Sequence, residues 1–401
     1  MHIDDPGNLE RFLSPDDCQA FLRRGDGIVG LGQVARHEAV DAQEADQWWQ
    51  AFSGELENET ELPGVTGTGP IAFGSFCFDP ANSREKGVMI VPEVILGRSR
   101  GQAWMTRIGH GDVLDRMPPV APAPLPPGTV DITDGSLTAD QWRDVVDQAV
   151  AQIRAGAVEK VVLARDVIAH TQDPIDPRWL VNQLVNRYRD TWTYLVDRMV
   201  GATPEMLVRT QGGLATSRVL AGTIRRPLDV DASELASVLT GSLKDLREHE
   251  FAVESVAQAL EPWCSGMNVP DAPFVLELPN VLHLATDITG VVAPGTSSLA
   301  LAGALHPSAA VCGTPTEVAR AMIADVEQMD RARYAGPVGW IDTMGDGEWG
   351  LALRGGLLDA DDPHAMRLFA GGGIVRDSRP DDEVAETVAK LAPMRQALLG
   401  D

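Results

Sequence analysis

The strongest constraint on this chain is the way its strand-like segments arrive. After residue 158 the stretches EKVVLARDVIA, TYLVDRMV, EMLVRTQGG, LATSRVLAG, VGWIDTM, EWGLALRGGLLD and RLFAGGGIV are apolar, rich in β-branched residues and punctuated by glycine. Several follow one another in hairpin-like runs, and helices stand grouped between the runs. That order predicts antiparallel sheets covered by helices, an α+β chain rather than a doubly wound parallel sheet. Two long helices stand out, LKDLREHEFAVESVAQALEPWC (243–264) and DDEVAETVAKLAPMRQALL (381–399). A third, SLTADQWRDVVDQAVAQIRAG (136–156), has helical periodicity and a glycine stop.

Residues 1–117 read as a β-rich part, with apolar runs at 27–32, 69–78 and 87–97 and one helix near DAQEADQWWQAF. PPVAPAPLPPG (118–128) follows, and six prolines in eleven residues make it a stiff, extended connector. Residues 129–401 then carry the groups that could do chemistry.

Composition narrows the partners. The 58 acidic residues outnumber 33 basic ones, a formal net charge of -25 that repels nucleic acid and anionic membrane surfaces over most of the molecule. A small anionic substrate is compatible with it, because a few Lys and Arg in a pocket reverse the local field. Cys18, Cys77, Cys264 and Cys312 lie far apart with no C-x-x-C pair, which disfavours a zinc site or disulfide scaffold and points to a reducing compartment. MHIDDPGNLERFLSPDD lacks the basic and apolar regions of a signal peptide, and no run reaches the roughly 18 apolar residues of a membrane span. The expectation is a cytoplasmic protein.

Three groups of residues could carry chemistry. Strand alternation places Lys160, Val162 and Ala164 on one face. A lysine desolvated there would have a lowered pKa and could serve as a general base, although a strand-end lysine that snorkels to water is the simpler account. Glu383, Glu386 and Lys390 are spaced i, i+3, i+7 and share a helix face. Two carboxylates there could flank a magnesium ion, or Glu386 and Lys390 could form an ordinary surface pair. Asp245 and Glu248 repeat the i, i+3 carboxylate spacing on another helix. Gly371-Gly372-Gly373 lacks the G-x-G-x-x-G spacing of a dinucleotide site, and no G-x-S-x-G nucleophile context appears.

At these residues the sequence resembles the chorismate-utilising enzymes, the family of the isochorismate, salicylate and anthranilate synthases. The stretches that carry the resemblance are EKVVLARDV, ATPEMLVR, LAGTIRR, LKDLREHEF, NVLHLATDITG, ALHPSAAVCGTP, YAGPVGWID, WGLALRGG, FAGGGIV and DSRPDDEVAETVAKL, in order through 137–399. GPIAFGSFCFDP extends it more weakly into the N-terminal part.

The resemblance implies one compact fold of two similar halves, with antiparallel sheets packed face to face and helices outside. It implies that Glu248 and Glu386 hold Mg²⁺, with Asp245 and Glu383 beside them, and that the metal binds the ring carboxylate of chorismate. Lys390 and the backbone of Gly371, Gly372 and Gly373 would help there. Arg354, assisted by Tyr334, would bind the enolpyruvyl carboxylate, while Gly222, His283 and Ala310 would line the pocket near the ring. Lys160 would act as base on the attacking water and Glu205 as acid on the departing hydroxyl.

Within the family, Lys160 favours water over ammonia as nucleophile. The implied activity is Mg-dependent conversion of chorismate to isochorismate, an isomerisation that feeds menaquinone or siderophore biosynthesis. Salicylate synthase, with the same site, and a non-catalytic chorismate-binding protein are the alternatives. The implied partners are chorismate, no nucleic acid and no membrane, and the resemblance is compatible with a monomer. Two departures from the family pattern are mild: Asp381 stands where many relatives carry glutamate, and Ser308 where threonine is common.

Overall fold

In the computed structural model, residues 1–109, 116–226, 230–277 and 281–400 are described, the side chains of Thr223, Arg225, Lys244, Glu248 and Val281 excepted. Among the described residues the strands form two sheets of twelve and ten strands, and their pairings are antiparallel. Both halves of the chain feed both sheets. Strands Cys18–Arg23 and Asp26–Leu31 enter the twelve-stranded sheet, whereas Ile71–Ser75 and Gly87–Val91 enter the ten-stranded one.

Alternation sorts the side chains. In the twelve-stranded sheet, Phe21 and Tyr194 belong to a large core with Phe73, Trp340 and Trp349 of the other sheet. Their neighbours Ala20, Leu22 and Leu195 point the other way, into a second core with Leu180, Leu184, Leu391 and Met394 of two helices. The period of two thus buries this sheet on both faces. The 118–128 segment has neither helix nor strand.

Three apolar runs that read as single strands are each divided. The run at 87–97 breaks at Pro92, where a ladder N–H is missing, and its halves Gly87–Val91 and Val94–Ser99 join different sheets. TYLVDRMV is a hairpin, Trp192–Val196 with Met199–Thr203, turning at Asp197 in the left-handed region (φ 56°). EWGLALRGGLLD divides at Arg354.

The divisions matter because they create crossings between sheets. Met199–Thr203 lies in the twelve-stranded sheet and Met206–Gln211 in the ten-stranded one, so 203–206 is one crossing. Gly347–Leu351 and Gly355–Leu358 make the reverse passage at 351–355. The two run antiparallel and are tied together: Leu351 N donates to Glu205 O at 3.1 Å and Ala202 N to Arg354 O at 3.3 Å.

The helices cover the sheets as their sequences direct. Ala139–Arg154 starts in a capping box between Thr138 and Gln141, and its buried face includes Trp142, Val145, Ala149 and Ile153. Trp142 Nε1 donates to Ala164 O at 3.1 Å, fixing this helix on the strand Lys160–Thr171. The predicted 243–264 helix ends earlier, at Leu260, and Cys264 opens a short strand. Pro380–Leu399 begins with Pro380, carries Asp381, Asp382 and Glu383 in its first turn, and stops at Gly400 (φ 76°). No helix among the described residues is long and apolar enough to cross a membrane.

Candidate active site

Lys160 opens the strand Lys160–Thr171, facing Thr314 on one side, with the strand Ala365–Ile374 on the other. A Cβ on Gly373 would stand 2.8 Å from Lys160 Cε and 3.6 Å from Nζ. The bare glycine lets the lysine side chain lie across the neighbouring strand. Ala310 is exposed on a turn that is stitched to the same region, since Val162 N donates to Cys312 O at 2.7 Å.

The two crossings supply Glu205 and Arg354. Thr203 Oγ1 accepts from Glu205 N at 3.2 Å and shapes the first turn. Loss of water pushes the Glu205 carboxyl up to about 7, against the opposing pull of Lys160, then Arg354 and Lys390. Arg354 has φ 47°, a left-handed conformation rare for a residue with a Cβ. Burial lowers the pKa of its guanidinium, while Tyr334, Glu386, Glu205 and Tyr188 favour its charged form.

Tyr334 is buried and stacks on Phe369 with centroids 5.0 Å apart. Burial pushes its phenol up to about 12, so it remains a hydrogen-bond donor at neutral pH. His283 is pushed down to about 4, first by burial and then by Arg354 and Lys390, which leaves it neutral.

On the helix Pro380–Leu399, Lys390 Nζ lies 2.6 Å from Glu386 Oε1 and donates to Gly371 O at 2.7 Å. Burial lowers the Lys390 pKa and Glu386 opposes that shift. Glu383 is raised, first by burial, with repulsion from Glu386 adding to it. A Cβ on Gly372 would come within 3.2 Å of Glu383 Oε2 and 3.5 Å of Glu386 Oε1. The three consecutive glycines therefore serve distinct ends: a carbonyl for Lys390, room for the carboxylates, and room for Lys160.

Asp245 sits in the first turn of Leu243–Leu260, where Ser242 Oγ accepts from its N–H at 3.3 Å. It packs on Gly222, which has φ 74° at a bulge in the strand Leu214–Arg225; a Cβ there would meet Asp245 Cβ at 3.2 Å. The side chain of Glu248 lies outside the described residues. Among the described residues no three His, Cys, Asp or Glu side chains cluster as a metal site. Glu383 and Glu386 nonetheless fit a hard cation: two carboxylates converge over one glycine and repel each other, an oxygen-only donor set that a divalent ion would relieve.

His249 has no role that residue patterning assigns. It is buried, with Nδ1 3.1 Å from Ala221 O and Nε2 2.7 Å from Thr286 Oγ1. A carbonyl only accepts, so Nδ1 carries the proton and Nε2 takes the threonine hydroxyl. This ring pins the Asp245 helix to the strands that carry Gly222 and His283. Its one sequence signal was a histidine beside Glu248.

Residues 121–399 match the family model described as chorismate binding enzyme, and the chain belongs to that family. Its relatives include isochorismate synthase MenF of Bacillus subtilis (strain 168), 31% identical over 406 residues, covering 93% of this chain and 86% of the relative. Isochorismate synthase EntC of Escherichia coli (strain K12) is 31% identical over 384 residues, with 93% of each chain covered. Among solved structures, MenF, the menaquinone-specific isochorismate synthase from Escherichia coli, superimposes with a TM-score of 0.78 at 23% identity, over 99% of this chain and 93% of that one. The last likeness concerns the fold, and it matches the two antiparallel sheets described above.

Proposed function

We propose that this chain is a magnesium-dependent isochorismate synthase, an isomerase that moves a hydroxyl around the chorismate ring. The reading is carried by the two tied crossings, which bring Glu205 and Arg354 close together within the electrostatic reach of Lys160, with the Glu205 carboxyl raised to about 7. An ordinary carboxylate has no proton to give at neutral pH, whereas one titrating near 7 has a large protonated fraction. Similarity to two isochorismate synthases over 93% of this chain supports the same substrate.

In this reading Arg354 binds the enolpyruvyl carboxylate through its planar fork, and Tyr334 adds a phenolic donor. Lys390 neutralises charge near the ring carboxylate, and neutral His283 lines the pocket with Gly222 and Ala310. Lys160, as the general base, takes a proton from the water that bonds to C2. The ring double bonds shift, the C4–oxygen bond breaks, and Glu205 delivers a proton so that water leaves. One water enters and one departs, which balances the isomerisation; solvent exchange returns Lys160 and Glu205 to their starting states. Glu386 and Glu248, with Asp245 and Glu383 beside them, would hold Mg²⁺. When bound, the metal would neutralise and fix the ring carboxylate. The product would feed menaquinone or siderophore biosynthesis.

The test is to incubate the protein with chorismate and Mg²⁺, with and without ammonium, and to resolve the products chromatographically. Isochorismate without pyruvate is expected, independent of ammonium. Salicylate with equal pyruvate would place the chain among the lyases. An aminated product that appears only with ammonium would overturn the role of Lys160, and no product at all would favour a binding protein.

A further inference from the structure

Arg354 takes its pose from a ring that lies outside the set of candidate site residues. Tyr194, in the strand Trp192–Val196, is fully buried. It stands opposite Gly201 on the next strand, and Gly201 in turn stands opposite Gly355 on the strand after that. A Cβ on either glycine would collide with the Tyr194 hydroxyl. The ring therefore spans two neighbouring strands that have no side chains at this level. Its hydroxyl reaches Leu353 O and donates to it at 2.9 Å.

That carbonyl belongs to the peptide plane between Leu353 and Arg354, whose rotation sets the φ of Arg354. The plane on the other side is held as well, because Ala202 N donates to Arg354 O. Both peptides flanking the arginine are thus tied to the twelve-stranded sheet, and between them Arg354 keeps the left-handed φ of 47°. A residue with a Cβ does not settle there by preference, so the surrounding structure must impose it.

We propose that Tyr194 is a positioning residue for Arg354: its hydroxyl fixes the left-handed backbone that aims the guanidinium at the substrate. The inference rests on the reading of Arg354 as the residue that binds the enolpyruvyl carboxylate. Phenylalanine would fill the same slot between the glycines and bury the same ring. Packing alone therefore does not require the hydroxyl.

The test uses Tyr194→Phe in the full chain with Mg²⁺ and two unreactive probes. One is a hydroxybenzoate, which carries a ring carboxylate alone; the other is its enolpyruvyl ether, which carries both carboxylates. The variant should bind the ether roughly three- to tenfold more weakly, one hydrogen bond's worth, and bind the hydroxybenzoate as the parent does. Equal weakening of both probes would mean general loosening and would overturn the proposal. So would unchanged ether binding in Tyr194→Phe while Arg354→Ala loses it, an outcome that leaves the reading of Arg354 intact. If Arg354→Ala also binds the ether normally, that reading fails and this inference falls with it. A crystal structure of Tyr194→Phe with Arg354 at unchanged φ and ordered as before would overturn it too.

Discussion

Two parts of the site are built by different means. One is helical: Glu383, Glu386 and Lys390 share a face of Pro380–Leu399 and are partly open to solvent. The other consists of the crossings at 203–206 and 351–355, where Glu205 and Arg354 project from backbone tied across two sheets. On a helix, a side chain is placed by period alone, and its neighbours can change without moving it far. At a crossing, the side chain is placed by bulges, glycine pairs and a strained φ, each dependent on residues distant in sequence. Glu205 and Arg354, the proposed acid and the proposed carboxylate-binding residue, occupy the second kind of position, and the carboxylates proposed to hold a cation on Pro380–Leu399 occupy the first.

The largest expected effect comes from removing the proposed acid and base. Lys160→Ala and Glu205→Gln should each lower kcat by roughly 10²- to 10⁴-fold, the usual worth of general acid–base catalysis, with unfolding midpoints that show an intact fold. A rate near that of the parent in either variant would remove that residue from the chemistry. Next in size is Arg354→Lys, which keeps the charge and loses the fork. It should raise the KM for chorismate about tenfold or more, since hydrogen bonds to charged groups contribute about 1.5–3 kcal/mol each.

On the helical part, Glu386→Gln should raise the Mg²⁺ concentration for half-maximal rate at least about tenfold, recoverable at high metal. Chelation of the metal should stop the parent enzyme reversibly. A Glu386→Gln enzyme with unaltered metal demand would exclude that carboxylate as a ligand.

The smallest effect concerns pH. Glu205 is raised from 4.5 to about 7 in the fold, so the folded state holds its proton more tightly than the unfolded chain does. Its contribution to stability is therefore full at low pH and declines as pH rises from about 4.5 through 7. Glu205→Gln removes that penalty, and its melting midpoint should exceed the parent's by a few degrees at alkaline pH and match it in acid. In the parent, kcat/KM should also fall as pH rises through 7, because the donor form is the protonated one. Melting curves that shift equally at all pH values would contradict the account of Glu205.

Periodicity explains which parts were legible in the sequence. The α+β class, the two long helices and the shared face of Glu383, Glu386 and Lys390 follow from patterns within a single element. Lys160 was legible as a lysine at an apolar strand, though residue patterning alone could not separate a base from a strand-end charge. Glu205 and Arg354 carry no local signal. The first sits after a proline between two strands, and the second lies inside a run, EWGLALRGGLLD, that reads as one strand. Their places emerged from the motifs ATPEMLVR and WGLALRGG as units of a family resemblance. Tyr194 looked like one more apolar strand residue, because its partners Gly201, Leu353 and Gly355 meet it only once the sheets form.

In the proposed reaction water attacks one side of the ring conjugation while the original hydroxyl leaves from the other, with Lys160 and Glu205 handling the protons. Running the reaction in water enriched in the heavy oxygen isotope, and examining isochorismate by mass spectrometry after a brief turnover, tests this directly. One heavy oxygen is expected in each product molecule, at the newly formed hydroxyl. Isochorismate formed without label would show that the hydroxyl migrates within the substrate and would contradict the assigned roles of both residues.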